Sequence, residues 1–185
     1  MSLTPQRKAI LVNGPPASGK TAIAEALAAH FQLPILARDA VQEALYDTLG
    51  TGDREYNRLL GQAGMAVIWR MMQNFPPDAS VIIDTWCRYP PFDWLTDGIK
   101  SAGITRLVEV FCWAQGEILA QRYLSRVGLR HPGHPGKELA PELIEVSKKA
   151  KPTGLADALI VDTSQGGNIK HEEIIQWVND HLQIQ

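Results

Sequence analysis

The residues best suited to chemistry lie near the start of the sequence. They are Gly14, Pro15, Pro16, Ala17, Ser18, Gly19, Lys20 and Thr21, followed by Ala22. Their spacing is G-x-x-x-x-G-K-[ST]. Glycines at the two fixed positions let backbone N–H groups turn inward around an anion. Lysine directly after the second glycine brings a point charge to the outer phosphates of a nucleoside triphosphate, and the threonine hydroxyl can hold Mg²⁺. The flanks suit this reading. Ala9–Asn13 is a short apolar run that reads as a buried strand. Ala22 through Ala29 is dense in strong helix formers. A helix starting there adds unpaired N–H donors and the positive end of its dipole.

More candidates follow the later apolar runs. Arg38 and Asp39 come after the second. The carboxylate can take the proton of an acceptor hydroxyl as that oxygen attacks the outer phosphate, and Arg38 can steady the phosphoryl charge or orient the acceptor. Asp39 also has the chemistry of an N-cap for a helix from Ala40, and the two roles are compatible. Asp84 closes the run Val81-Ile82-Ile83, where an acid can hold Mg²⁺ opposite Thr21; the alternative is a strand-end carboxylate satisfied by backbone N–H groups. Trp86, Arg88 and Tyr89 offer an aromatic wall, a cation and a phenol, which suits an acceptor pocket or simple packing under the Pro90-Pro91 turn.

Arg122 and Arg126 are spaced to share a helical face, and Arg130 leads into a Gly/Pro/His loop ending near Gly136. This suits a lid whose arginines stabilise a transferring phosphoryl group; a solvated basic face is the plainer reading. His131 and His134 lack clustered partner ligands and read as structural. Thr163, Ser164 and Gln165, continuing through Gly166-Gly167-Asn168, can receive an adenine edge or form a plain turn.

Elements must position these groups. Strand-like runs occur at Ala9–Asn13, Leu33–Ala37, Ser80–Asp84, Arg106–Trp113 and Ala158–Asp162. Helical patterns cover about Gly19–Phe31, Ala40–Leu49, Arg54–Phe75, Pro91–Ala102, Gln115–Val127, Pro141–Ala150 and Lys170–Leu182. The alternation predicts an α/β fold with a parallel sheet and ligands beyond the carboxyl ends of its strands. No linker divides residues 1–185, so a single domain is expected, with acceptor-side helices at about 50–75 and a lid at about 122–140.

Composition narrows the function. A formal net charge of −2 supplies no global basic field for nucleic acid or an anionic membrane, although a local basic site remains open. Cys87 and Cys112 have no C-x-x-C spacing and read as packed, reduced thiols. Ser2 through Gln6 carries no leader pattern, and no apolar run can span a bilayer, so a cytoplasmic protein is expected.

Taken together, Asn13–Thr21, the stretch Arg38 to Leu45, and the Arg122/Arg126/Arg130 series with His131-Pro132-Gly133-His134 resemble the P-loop small-molecule kinases. That group includes chloramphenicol phosphotransferase, gluconate kinase, shikimate kinase, zeta toxins and the kinase half of polynucleotide kinases. The likeness is strongest to AAA-domain kinases of unassigned substrate. The resemblance implies a three-layer fold, a five-stranded parallel sheet of order 2-3-1-4-5 with helices on both faces, and a small lid. It implies ATP and Mg²⁺, Asp39 as base, Lys20 and the lid arginines as stabilisers, and Thr163–Gln165 near adenine. The acceptor would lie by Trp86–Tyr89 and the helices around Gly50–Asn57. The expected activity is transfer of the γ-phosphate to a hydroxyl of a small molecule. A kinase for nucleic-acid ends or nucleosides, and a non-kinase NTP-binding switch or ATPase module, are the alternatives.

Overall fold

The computed structural model describes residues 6–165 and 169–184. Ser2–Pro5, on which the leader reading rests, and Gly166–Asn168 of the adenine-edge reading lie outside the described residues.

Five strands form one parallel sheet: β1 (Arg7–Asn13), β2 (Ile35–Ala37), β3 (Ser80–Thr85), β4 (Ile104–Trp113) and β5 (Asp157–Asp162). Their order is β2-β3-β1-β4-β5. Among the described residues, seven α-helices connect and cover them: α1 (Lys20–Phe31), α2 (Arg38–Leu49), α3 (Arg54–Met72), α4 (Asp93–Ser101), α5 (Gly116–Arg126), α6 (Leu139–Lys149) and α7 (His171–Leu182).

The two-residue alternation of β1 sorts its side chains between two cores. Ala9 and Leu11 join Met65, Ile68 and Trp69 of α3 and Leu95 of α4. Ile10 and Val12 join Ile23 and Leu27 of α1 and Ile174 and Val178 of α7. Both faces are covered, which is why β1 reads as an unbroken apolar run. A third cluster packs Leu119 and Tyr123 of α5 against Leu139 and Leu143 of α6, with Ala17 of the glycine loop beside them. The α5–α6 pair is thereby anchored next to the loop.

The order fixes where a ligand can sit. The chain leaves β1 toward β2 on one side, and β3 connects back across β1 to β4 on the other. The crevice opens at this switch point, beyond the carboxyl ends of the strands. Asn13, Thr85 and Phe111 lie level there, as do Ala37 and Asp84.

Some boundaries differ from expectation for identifiable reasons. β2 starts at Ile35 because Pro34 has no N–H for the ladder, although its carbonyl still accepts from Ile82 N–H at 3.0 Å. β2 runs straight into α2, whose N-cap is Ala37 without a side-chain bond. Asp39 therefore sits inside the first turn, and the expected capping role is corrected: its carboxylate meets the helix dipole but does not cap. Asp53 does cap α3, accepting from Tyr56 N–H at 2.8 Å.

Candidate nucleotide and acceptor site

The glycine loop bends because two positions demand it. Gly14 has φ +154°, and a Cβ there would collide with the Cys112 carbonyl oxygen of β4. Gly19 has φ +82° and precedes α1 as its N-cap. Thr163, at the end of β5, braces the loop from the far side. Its hydroxyl donates to Ser18 O at 2.8 Å and its N–H to Trp113 O at 2.7 Å. This side chain is buried. Ser164 accepts from Gln115 N–H at 3.0 Å, tying the same turn to the start of α5. Arg122 of α5 then clasps the turn, donating to Thr163 O at 2.6 Å and Thr163 Oγ1 at 3.2 Å. Arg122 is thus engaged with the turn after β5, while Arg130 reaches Asp39.

Asp39 is the hub of the cationic groups. Arg130 Nη2 donates to Asp39 Oδ2 at 3.2 Å, bringing the region after α5 onto the first turn of α2. Burial works against the Asp39 charge, yet Lys20, Arg38, His134 and Arg130 outweigh it and hold the carboxyl below the usual carboxylate range. Burial, with the charges of Arg130 and Arg122 nearby, pushes the Arg126 guanidinium below its ordinary value, against the pull of Asp39 and Tyr123. Among the described residues, Arg126 Nε is buried and has no hydrogen-bond partner. A buried donor in this state fits an anion.

Thr21 and Asp84 meet as their motifs require, with Thr21 Oγ1 donating to Asp84 Oδ2 at 2.8 Å. Asp84 Oδ1 is buried and has no hydrogen-bond partner among the described residues, and neither does Thr85 Oγ1 beside it. Burial pushes the Asp84 carboxyl upward, against Lys20 and the Thr21 hydrogen bond. An orphaned carboxylate oxygen facing a hydroxyl is a donor set that suits a hard divalent cation.

The segment from Arg130 to Gly136 lies over α2. His131 Nε2 contacts Asp47 Oδ1 at 3.1 Å, and His134 Nε2 contacts Glu43 Oε1 at 2.6 Å. Both rings pack on Tyr46, with centroids 5.1 and 5.9 Å away. Asn57 Nδ2 donates to Gly133 O at 3.3 Å. Two imidazoles that sequence reading assigned to structure are thus the clasps of this segment.

In the turn after β3, Trp86 is half-buried with the Arg88 guanidinium 4.9 Å above its ring, while Tyr89 is exposed. Asn13 positions this stretch: its Oδ1 accepts from Cys87 N–H at 3.0 Å, and its Nδ2 donates to Glu109 at 2.8 Å. Glu109 is fully buried in β4 and also accepts from Thr153 N–H and hydroxyl. A glutamate amid Leu107, Val108, Val110 and Phe111 was a visible signal that sequence reasoning passed over. Gln42 was also missed. It is buried on α2, accepts from Arg38 Nη2 at 2.9 Å and donates to Asn57 O at 2.8 Å. Its spacing of four from Arg38 was the available clue. Burial pushes the Cys112 thiol up to about 12 and Cys87 higher still, so both are packed and unreactive.

The fold and site define a P-loop nucleotide-binding protein. A protein of Chloroflexus aurantiacus assigned by inference as a kinase superimposes with a TM-score of 0.83 at 31% identity, with 98% of this chain and all of that one covered. The chain belongs to the P-loop kinases. A gluconokinase from Sinorhizobium meliloti matches with a TM-score of 0.60 at 20% identity over 97% of this chain and 92% of that one. The APS kinase of Mycobacterium tuberculosis, solved with AMPPNP and APS, matches with a TM-score of 0.65 at 15% identity over 97% and 99%. These two share the fold. No protein-family model and no curated protein matches the sequence.

Proposed function

We propose that the protein moves the γ-phosphate of ATP to a hydroxyl of a small-molecule acceptor. The observation that carries this reading is the place of Asp39: an ionised carboxylate at the sheet's ligand edge, under the influence of Lys20 and in contact with Arg130. A carboxylate so placed can take a proton from an acceptor hydroxyl or from water, and comparing ATP turnover with and without hydroxyl compounds separates a kinase from an ATPase.

The loop Gly14–Thr21 and the start of α1 at Ala22 cradle the phosphates with backbone N–H groups, and Lys20 supplies the charge at the outer phosphate. Thr21 and Asp84 would hold Mg²⁺, which neutralises charge on the phosphate oxygens when bound. Arg122 shapes the turn at Thr163, Ser164 and Gln165, whose backbone would meet the adenine edge. Arg38, Trp86, Arg88 and Tyr89 line the acceptor side.

In the reaction, Asp39 receives the proton of the acceptor hydroxyl as the new O–P bond forms. The bond from the γ-phosphorus to the β–γ bridging oxygen breaks, and its electron pair leaves with ADP. Arg126 and Arg130 stabilise the charge on the transferring group. Arg130 exchanges its Asp39 contact for the phosphoryl oxygens, freeing the carboxylate for the hydroxyl. The segment 122–140 acts as a lid that excludes water from the transfer. Among the described residues no helix is long and apolar enough to cross a membrane. Two buried free thiols support a reducing, cytoplasmic setting.

The lid supplies a test. Arg126→Ala and Arg130→Ala should each lower kcat more than they raise the ATP Kd, because their charge is needed most as the phosphoryl group transfers. ATP with Mg²⁺ should slow backbone hydrogen exchange between Arg122 and Lys137. Full activity in both variants with unchanged exchange would remove the lid from the account.

A further inference from the structure

A carboxylate in the interior of a sheet protein is costly unless its oxygens are fully used. Glu109, within β4, is fully buried. Val108 and Val110 on either side of it join the core under α1 and α7, so Glu109 points to the opposite face. None of the ion pairs among the described residues includes it. Its oxygens instead accept from three neutral donors: Asn13 Nδ2 at 2.8 Å, Thr153 N–H at 2.9 Å and the Thr153 hydroxyl at 2.6 Å. The carboxylate thereby joins segments 96 and 44 residues away from it along the chain. Asn13 ends β1 and directly precedes Gly14 of the glycine loop. Thr153 lies in the connection from α6 to β5.

Asn13 carries the arrangement to a third segment. It is buried, and its Oδ1 accepts from Cys87 N–H at 3.0 Å, in the turn after β3. The two ends of this amide are not interchangeable. A backbone N–H only donates, so Cys87 needs the oxygen; a carboxylate only accepts, so Glu109 needs the nitrogen. Glu109 thus fixes which way the amide faces, and the amide ties the Cys87 backbone to the end of β1. Arg88 follows on a backbone with φ +59°, a left-handed conformation uncommon for a residue with a side chain. Its guanidinium lies 4.9 Å from the Trp86 ring, so the turn folds on itself around the Cys87 anchor. On its other side Asn13 continues into Gly14, which packs against the Cys112 carbonyl oxygen. The glycine loop and the turn after β3 therefore share one buried amide as their common reference point.

We infer that Glu109 is a positioning residue: through Asn13 it holds the turn Trp86–Tyr89 in register with the glycine loop, and so sets where an acceptor lies relative to the γ-phosphate. The part played by the acceptor rests on the kinase reading above; the linkage of Glu109, Asn13 and Cys87 does not. Glu109 acts through Asn13 and the Cys87 backbone, not by contact with a reacting group. Glu109→Gln keeps the shape and introduces a donor. Thr153 presents two donors to this side chain and Asn13 one, so the new NH₂ group turns toward Asn13. Asn13 must then reverse and set Nδ2 against Cys87 N–H, donor against donor. Adding Asn13→Asp repairs the fault. The aspartate accepts from both the new amide and Cys87 N–H, and the net charge of the pair is unchanged.

The test uses the full chain labelled with ¹⁵N-cysteine, whose only cysteines are Cys87 and Cys112. Cys112→Ser assigns the two backbone amides. Cys112, buried in β4, serves as the reference for the stability of the sheet. Glu109→Gln should lower the hydrogen-exchange protection of Cys87 about fivefold relative to Cys112, and the double variant Glu109→Gln/Asn13→Asp should restore it. The acceptor probe is the hydroxyl compound that takes label from γ-labelled ATP. Its KM should rise about tenfold in Glu109→Gln and recover in the double variant, with the Kd of Mg²⁺–AMPPNP within about twofold throughout. Equal loss of protection at Cys87 and Cys112, or a double variant no better than the single one, would reduce Glu109 to general stability and overturn the inference. A selective loss at Cys87 with an unchanged KM would overturn it as well. Selective loss and rescue at Cys87 in a protein that labels no hydroxyl compound would keep Glu109 as the residue that positions this turn and reject the kinase reading instead.

Discussion

Asp39→Asn should lower kcat by roughly 10²–10⁴-fold while ATP affinity changes little. Asparagine keeps the shape of the side chain and removes its charge together with the capacity to take a proton. The fold should survive. Asp39 does not cap α2, since Ala37 is the N-cap. The lost ion pair with Arg130 joins a largely buried cation to a carboxylate that is 45% exposed, and a partly solvated pair of this kind is worth about 1 kcal/mol or less. A large loss of rate with a small loss of stability therefore separates catalysis from structure. Unchanged kcat in a destabilised variant would return Asp39 to a structural role.

The pH dependence follows from the same surroundings. The Asp39 carboxyl is held below its ordinary value in the folded protein. Its contribution to stability is present above the unfolded pKa, which is ~3.9, and is lost as pH falls through the lower folded value. The base is thus fully ionised across the neutral range. The kcat/KM profile should show no acid limb from Asp39 above about pH 5, and the Asn variant should lower the profile there without changing its shape.

Lys20→Ala should abolish measurable transfer, with a loss of at least about 10³-fold, because a fixed charge at the developing phosphoryl oxygens is among the largest single contributions to this chemistry. The residue is half-buried at the first position of α1 and takes no part in the hydrophobic clusters, so the fold should remain intact. Its charge acts on both Asp39 and Asp84, lowering each. Removing it leaves two carboxylates without their shared cation beside the phosphate path. Lys20→Arg should recover little, since the planar guanidinium is larger than the ammonium and cannot act as the same compact charge. Near-normal turnover in the Ala variant, with the same melting temperature, would mean that the loop is not where the chemistry occurs.

Much of this arrangement was legible in the residues. The apolar runs of β1 and β3 are continuous because helices cover both faces of the sheet, β4 follows them except for Arg106 and the buried Glu109, and the strand order follows the resemblance. The approach of Asp39 to the glycine loop could be expected because both lie at strand ends on one edge. Other features depend on distant packing that no local pattern records. Arg122 looked like a partner of Arg126, yet the turn at Thr163 and Ser164, 41 residues away from Arg122 along the chain at its first contact, takes its guanidinium. His131 and His134 had no visible partners in their own segment, because those partners, Asp47 and Glu43, sit on α2. The start of α2 was misplaced by two residues because Arg38-Asp39 matches a capping pattern, while β2 feeds the helix with no intervening loop.

The central claim is that phosphate goes to a hydroxyl and not to water. Its most direct measurement is the fate of the label when the protein is incubated with γ-labelled ATP, Mg²⁺ and a panel of hydroxyl compounds that includes sugars, hydroxy acids, nucleosides and 5′-hydroxyl oligonucleotides. The account predicts that ADP forms in step with a labelled phosphate ester of a small molecule, with little inorganic phosphate, and that Asp39→Asn suppresses both products together. Label recovered only as inorganic phosphate, at a rate that no hydroxyl compound changes and that Asp39→Asn leaves intact, would contradict it.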